Sequence, residues 1–346
     1  MTMDDECLTF GEALKRLCTD GAPVSSAALY ALSAPSSLEV QLFRGRWPTA
    51  TAERRRRMLT LLTESAEGNF ELDFNALFRV TMEDEDEQVR TLSIEGLWED
   101  EEASLVGPLV RVLRHDTGAS ARAAAAASLG RFALLGELDE LETRYRRLVR
   151  GVLLEAVYDE DEDLDVRRRA VESIAYLSEE CVRDIISAAY DEAEERMRIS
   201  AVFAMGRSAD TYWSEIVQRE LGNDNPAMRY EAARACGEIE VKNAVPELIR
   251  LASGPDREVQ YAAIGSLGQI GGPQAKVVLG QLARSDDEVL RMMAEDALAE
   301  LELGEQPLDL MDFRPDVVGE ADEDEEEIDD NDGELDEDEE EPSEDE

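Results

Sequence analysis

The sequence predicts an all-α fold, a solenoid built from stacked helix hairpins. Three observations predict it. A ten-residue pattern (apolar, Arg, two variable positions, a small residue, three more positions, Leu or Met, Gly) recurs at a nearly fixed interval. The apolar positions of each copy have helical spacing. Further helical segments fall between the copies, so the interval is the length of one hairpin. The clearest copies are MRISAVFAMG (197–206), MRYEAARACG (228–237) and VQYAAIGSLG (259–268), each 31 residues from the next.

Residues 1–35 read as an N-terminal helical cap. FGEALKRLC and SSAALYALS are short helices split by DGAPV and closed by Pro35. The end unit of a stack is atypical because one face must meet water. The repeat body is expected over 36–303. A weak copy starts at Arg54 in RRRRMLTLL, where Arg54–Arg57 read as a solvated helix start. Full copies start at Val89, Ala121, Val166, Met197, Met228, Val259 and Val289, at intervals of 32, 45, 31, 31, 31 and 30. The long interval predicts a lengthened first helix or an inserted turn around 138–158, which also carries Arg144, Arg146, Arg147 and Arg150. Between the copies, VGPLVRVLR, CVRDIISAAY, WSEIVQREL, AVPELIRLA and AKVVLGQLA supply the partner helices. Residues 304–319 form a linker with apolar Leu308, Leu310, Met311 and Phe313. Residues 320–346, with 20 acidic side chains and no basic one, form a disordered tail.

Within a copy, positions one, five, eight and nine share a face. In the fourth copy these are Met197, Ala201, Ala204 and Met205. Small residues at position five (Ala125, Ala170, Ala201, Ala232, Ala263) admit a neighbouring helix. Three residues before the copies, Asp86, Asp163, Asn225, Asp256 and Asp286 are placed to cap helix N-termini, with Glu194 in the same column. Position two reads Arg90, Arg122, Arg167, Arg198 and Arg229, then lapses to Gln260 and Leu290. Stacked in register, these arginines form a structural ladder against acids or carbonyls of the neighbouring unit.

DREVQYAAIGSLGQIGG, with DEQVRTLSIEGL and DLDVRRRAVESIA, resembles HEAT-type repeats, closest to the short bacterial class known from phycobilin lyases. The resemblance covers roughly residues 70–303 well and 36–70 weakly. It implies a right-handed superhelical, armadillo-like α-solenoid, used mostly for protein–protein contact. It also implies that the second helix of each pair, taken to be the pattern helix, lines the concave face. Positions three, seven and eleven then point away from the core. Copies four to six place Ile199, Phe203, Tyr230 and Tyr261 there with Arg207 and Arg234 beside them, and Trp213 in the following loop. Tyr, Trp and Arg are the residues most enriched in binding hot spots, so these seven are the partner-binding candidates.

Charge narrows the partner. The formal net charge is −47. Removing the tail's 20 acids leaves −27 for residues 1–319. Nucleic acid and anionic membranes are repelled by such a surface, and a basic protein or peptide is favoured, although acidity also serves solubility. Cys7, Cys18, Cys181 and Cys236 have neither metal nor redox spacing. The first residues show no basic and apolar leader, and no run is long enough to span a membrane; a cytoplasmic protein is expected. Oligomeric state leaves no mark in the sequence.

Catalytic signatures are sparse. His115 is the one histidine and suits a helix C-terminus. The HEAT-repeat di-iron hydroxylases use repeated His-Glu pairs, of which this chain has none. GQIGGPQAK lacks phosphate-loop spacing, and the acidic clusters lack the spaced ligands of a calcium loop. No catalytic, cofactor or metal residue is expected. The reading is a non-enzymatic scaffold or adaptor. Its alternatives are a phycobilin-lyase-like enzyme handling a tetrapyrrole and an acidic-tail chaperone for a basic client.

Overall fold

The computed structural model describes residues 8–305, with side chains through 303. The predicted linker beyond 305 and the acidic tail lie outside the described residues. Those described form eighteen α-helices and no strands, arranged as nine successive hairpins. The first is α1 (Phe10–Leu17) with α2 (Ser26–Leu32), followed by α3 (Ser37–Arg46) with α4 (Ala52–Gly68). Then come α5 (Asn75–Thr81) with α6 (Glu87–Gly96), α7 (Val106–His115) with α8 (Ala119–Glu137), and α9 (Thr143–Tyr158) with α10 (Leu164–Ile174). The last four are α11 (Glu180–Asp191) with α12 (Glu195–Arg207), α13 (Ser214–Glu220) with α14 (Pro226–Glu238), α15 (Val245–Leu251) with α16 (Arg257–Ile270), and α17 (Pro273–Leu282) with α18 (Glu288–Glu305).

The pattern helices are the second members of the pairs, and each lies on the next: α4 on α6, then α8, α10, α12, α14 and α16. Met197, Ala201, Ala204 and Met205 are fully buried, as are Ala232, Ala235, Cys236, Ala263 and Leu267. One apolar core runs from Phe10 to Leu301. A single hairpin exposes two apolar faces, so only stacking removes them from water.

The glycine that ends the pattern sets the spacing between helices. A Cβ on Gly206 would stand 2.8 Å from Ala235 Cα, and one on Gly268 would stand 3.0 Å from Ala297 Cα. Backbone meets backbone there, and any side chain would push the hairpins apart.

The ends of the helices follow local chemistry. Thr9 and Ser36 form capping boxes with Glu12 and Glu39, T-x-x-E and S-x-x-E signals that are plain in the sequence. The side chains of Asp86, Asp163, Asn225 and Asp256 accept from backbone N–H groups of α6, α10, α14 and α16. Glu194 makes no side-chain cap.

Five expectations need correction or refinement. The last copy starts at Leu290, which is buried, whereas Val289 is 44% exposed. The interval from Val259 is therefore 31 residues. The cap is Asp287, accepting from Val289 and Leu290 N–H at 3.2 and 3.3 Å, in place of Asp286. In that register Arg291 stands at position two, donating to Ser285 O at 3.3 Å, where the ladder was expected to lapse to Leu290. The extra length of the long interval is divided between α8, which runs to Glu137, and α9; α8 is itself a pattern helix. Finally, Arg54 and Arg55 are buried. Arg54 donates to the carbonyls of Leu17 (2.9 Å), Arg16 (3.1 Å) and Ala22 (2.7 Å), tying the end of α1 to α4. Arg55 pairs with Asp84 at 3.2 Å. Arg56 bonds Asp86 (Nε to Oδ1, 2.8 Å) and holds its carboxyl down to about 2. Arg54 is accommodated because it satisfies carbonyls that the end of α1 would otherwise leave open, and Arg55 because it pairs with a buried carboxylate.

Candidate functional site

The second-helix face carries a groove that sequence reasoning did not single out. Its floor is α8, where the run ASARAAAAASLG presents Ala119, Ser120, Ala123, Ala124, Ala127 and Ser128. The flanking second helices carry longer side chains. Thr91, Glu95 and the half-exposed Trp98 rise on the α6 side, and Arg168, Arg169 and Arg196 on the side of α10 and α12. The step from long to short side chains leaves a groove of about 610 Å³. Thr91, Ala123 and Arg168 are position-three residues, and Glu95 and Ala127 are at position seven. The columns drawn from the sequence thus pass through the groove, in the first three copies instead of copies four to six.

Ion pairs fix the wall. Arg168 bonds Asp165 (2.7 Å) and Ser200 Oγ (3.2 Å), and Arg169 bonds Glu172 (2.6 Å). Ser200 Oγ donates to the other oxygen of Glu172 at 2.5 Å, and Arg196 pairs with Asp165. At one end Arg131 donates to the carbonyls of Leu97 (3.0 Å), Asp100 (2.8 Å) and Trp98, closing the turn that carries the Trp98 indole. The groove walls partly desolvate Glu95 and push its carboxyl up, with Arg169 opposing.

Next along the same face lies the cluster from copies four and five. The Phe203 ring is flanked by the guanidinium groups of Arg207 (5.2 Å) and Arg234 (5.6 Å), and Arg234 also approaches Tyr230 (5.8 Å). Arg207 pairs with Glu238 at 3.3 Å, and Arg234 lies 3.4 Å from Glu238 and 3.6 Å from Glu231. Burial pushes the Glu231 carboxyl up to about 7; Arg234 opposes, and Glu172 and Glu238 add to the rise. Ile199, Tyr230 and Tyr261 are half-buried against the core, with Arg257 at 6.0 Å from the Tyr261 ring. Trp213 does not reach this surface. It is 1% exposed and fills the core beneath the turn Thr211–Trp213, while its neighbour Tyr212 is 57% exposed and meets Arg183 at 4.6 Å. A ring at a turn was assigned to the surface by its place in the chain, and the structure gives that place to Tyr212.

His115 ends α7. Arg144, Arg146 and Arg150 pair with Glu142, Asp139 and Glu179, so three of the four arginines of the second basic run are held in ion pairs. Among the described residues no group of three or more His, Cys, Asp or Glu side chains is arranged to hold a metal, and no helix is long and apolar enough to cross a membrane.

Comparison with solved structures finds helical-repeat proteins. The CpcE–CpcF complex of phycocyanin lyase from Nostoc sp. PCC7120 is 18% identical and covers 65% of this chain and 87% of its own, with a TM-score of 0.48. Human deoxyhypusine hydroxylase in complex with glycerol is 16% identical over 84% of this chain and 95% of its own, with a TM-score of 0.34. A designed armadillo repeat protein is 18% identical over 57% of this chain and 99% of its own, with a TM-score of 0.37. No curated protein sequence matches the chain. Residues 214–299, which span α13 to α18, match the family model for HEAT repeats, so the units of this stretch are similar to HEAT repeats.

Proposed function

We propose that the chain is a non-enzymatic scaffold that holds a segment of a partner protein on its second-helix face. The groove over α8 carries this reading. Alanine and serine side chains let a backbone or a helix approach closely, Trp98 offers an amphipathic anchor at one end, and the Phe203 cluster lies further along the same face. The groove lining has four arginines against three acids, so the acidic body does not demand a basic partner at this place.

The test is affinity capture from a native cell lysate with four baits: the full chain, a chain ending at Leu303, Ala127→Trp and Phe203→Ala. Ala127 is exposed on the groove floor, so an indole there fills the groove and leaves the core intact. A partner retained by the first two baits and lost from Ala127→Trp, with an unchanged melting temperature, supports the scaffold. Capture by the full chain alone moves the function to the acidic tail or the linker. A coloured bilin retained by the purified chain favours the lyase-like alternative instead.

A further inference from the structure

The position-two arginines run along the turns of the stack, and Arg55, Arg90, Arg122 and Arg167 each pair with a carboxylate of the next hairpin. Arg55 meets Asp84 at 3.2 Å. Arg90 grips Asp116 with bonds of 2.7 and 2.6 Å, and Arg122 grips Glu162 with bonds of 3.1 and 2.6 Å. Arg167 bonds Glu192 at 2.8 Å. Arg198 faces Glu220 and helps hold its carboxyl down, against the effect of burial and alongside bonds from Tyr190 and Asn223. The same arginines brace their own turns: Arg90 donates to Asp84 O and Arg122 to Asp116 O, both at 2.8 Å.

One rung is different. Arg229 on α14 donates Nη1 to the carbonyls of Asn223 and Asp224, each at 2.8 Å. Its own-turn contacts are therefore complete. One hairpin further on, 31 residues after Glu220 and Asn223, stand Leu251 and Gly254. Neither carries a carboxylate, and no acceptor among the described residues meets Arg229 Nε or Nη2. Where the acid would sit there is a cavity of about 280 Å³, lined by Arg229, Leu251 and Gly254 with Arg250, Asp224 and Asp256. The other charges around it are occupied or outlying. Arg250 bonds Glu247 at 3.0 and 2.5 Å, Asp256 accepts from Val259 N–H at 3.3 Å, and Asp224 is exposed at the rim.

We propose that Arg229 is an open rung of the ladder, a site for the carboxylate of an Asp or Glu side chain supplied by a partner protein. A guanidinium presents two parallel N–H donors to the two oxygens of a carboxylate, as Arg90 and Arg122 do within the chain, and here the acceptor comes from outside. The site lies on α14–α16, so it does not rest on the groove across α6, α8 and α10.

The experiment follows the side-chain Nε–H resonance of Arg229 in the full chain labelled with ¹⁵N-arginine, assigned through Arg229→Lys. The probes are N-acetyl triglutamate amide, acetate at matched carboxylate, and sodium chloride at matched ionic strength. The expected result is a saturable shift with the peptide, at a concentration about tenfold below that needed with acetate because neighbouring contacts add to the anchor. Chloride gives no saturable shift. Gly254→Glu, which supplies the missing acid from within, abolishes the peptide response. A Cβ at Gly254 would lie 3.1 Å from Leu251 O, so if that variant does not fold, peptide binding measured by calorimetry on Arg229→Gln replaces it, with loss of the saturable heat expected. A drift that tracks chloride, or a peptide response that survives Gly254→Glu or Arg229→Gln, overturns the site. Acetate binding as tightly as the peptide overturns its assignment to a partner's side chain. Ala127→Trp leaves this titration unchanged, so failure here and failure of the groove are separate outcomes.

Discussion

Glu231 shows how one residue can carry a cost that the sequence hides. It occupies a variable position of the fifth copy, where polarity alone suggests a solvated side chain. In the stack its side chain is 18% exposed, Oε2 is buried with no hydrogen-bond partner, and the nearest cation, Arg234, stands 3.6 Å away. Desolvation therefore wins over Arg234 and Arg207 and pushes the pKa up to about 7. The unfolded chain loses this proton near its ordinary value of 4.5, while the folded chain keeps it until about 7. Between those values the unfolded state binds fewer protons, so stability falls as pH rises and the cost is complete above the folded value. Its size is about 3 kcal/mol. Glu231→Gln is accordingly expected to match the wild type at pH 4.5 and to exceed it in stability by that amount at pH 8. Urea unfolding at both values checks this, and a pH-independent gap would remove the buried charge as its cause. The same limit of sequence reasoning explains Trp213 and Arg54. Local pattern identified both as notable, but only the packing of separate hairpins decides that Trp213 is covered and that Arg54 meets the carbonyls of Arg16, Leu17 and Ala22.

At the scale of the element, nearly every helix was legible because the signals are periodic and local. Copies starting at Met197, Met228 and Val259 keep one register in sequence and structure. The last copy was misplaced by one residue because Val289 and Leu290 are both apolar and Asp286 and Asp287 are both capping residues; burial of Leu290 breaks the tie. The groove over α8 was written in the alanine run, but its depth depends on the length of side chains on α6 and α10, which are distant in sequence. The pattern glycine gives an element-scale prediction through two glycines of α16. Gly268 faces Ala297 with no room for a methyl group, whereas Gly265 has nothing within 4 Å. Gly268→Ala should cost about 1–3 kcal/mol through overpacking. Gly265→Ala should stabilise by about 0.5–1 kcal/mol because it restricts the unfolded chain and suits a helix interior. Equal effects in paired urea titrations would show that helix propensity, and not spacing between hairpins, explains the pattern glycine.

At the scale of the molecule, the stack transmits stability only from each hairpin to its neighbours. The ladder pairs are recurrent polar links between neighbours, and Arg122 with Glu162 joins α8 to the turn between α9 and α10. The two side chains are 18% and 14% exposed. Arg122→Ala removes a two-bond pair, leaves Asp116 O without its donor and strands a poorly hydrated carboxylate. For a partly buried pair this is worth about 2–4 kcal/mol. A globular domain would report that loss as one lower melting temperature. A solenoid weakened at one junction should instead separate into two cooperative blocks, one ending at α8 and one beginning at α9. Calorimetry of Arg122→Ala is expected to show a split endotherm where the wild type shows one, and hydrogen exchange should find the interior helices on each side protected to different degrees. Arg250→Ala is the control: Arg250 is exposed and pairs only within α15, so its loss should leave the transition single. A single, uniformly lowered endotherm for Arg122→Ala would mean that the apolar contact between α8 and α10 alone couples the two blocks, and that the ladder sets register without carrying cooperativity.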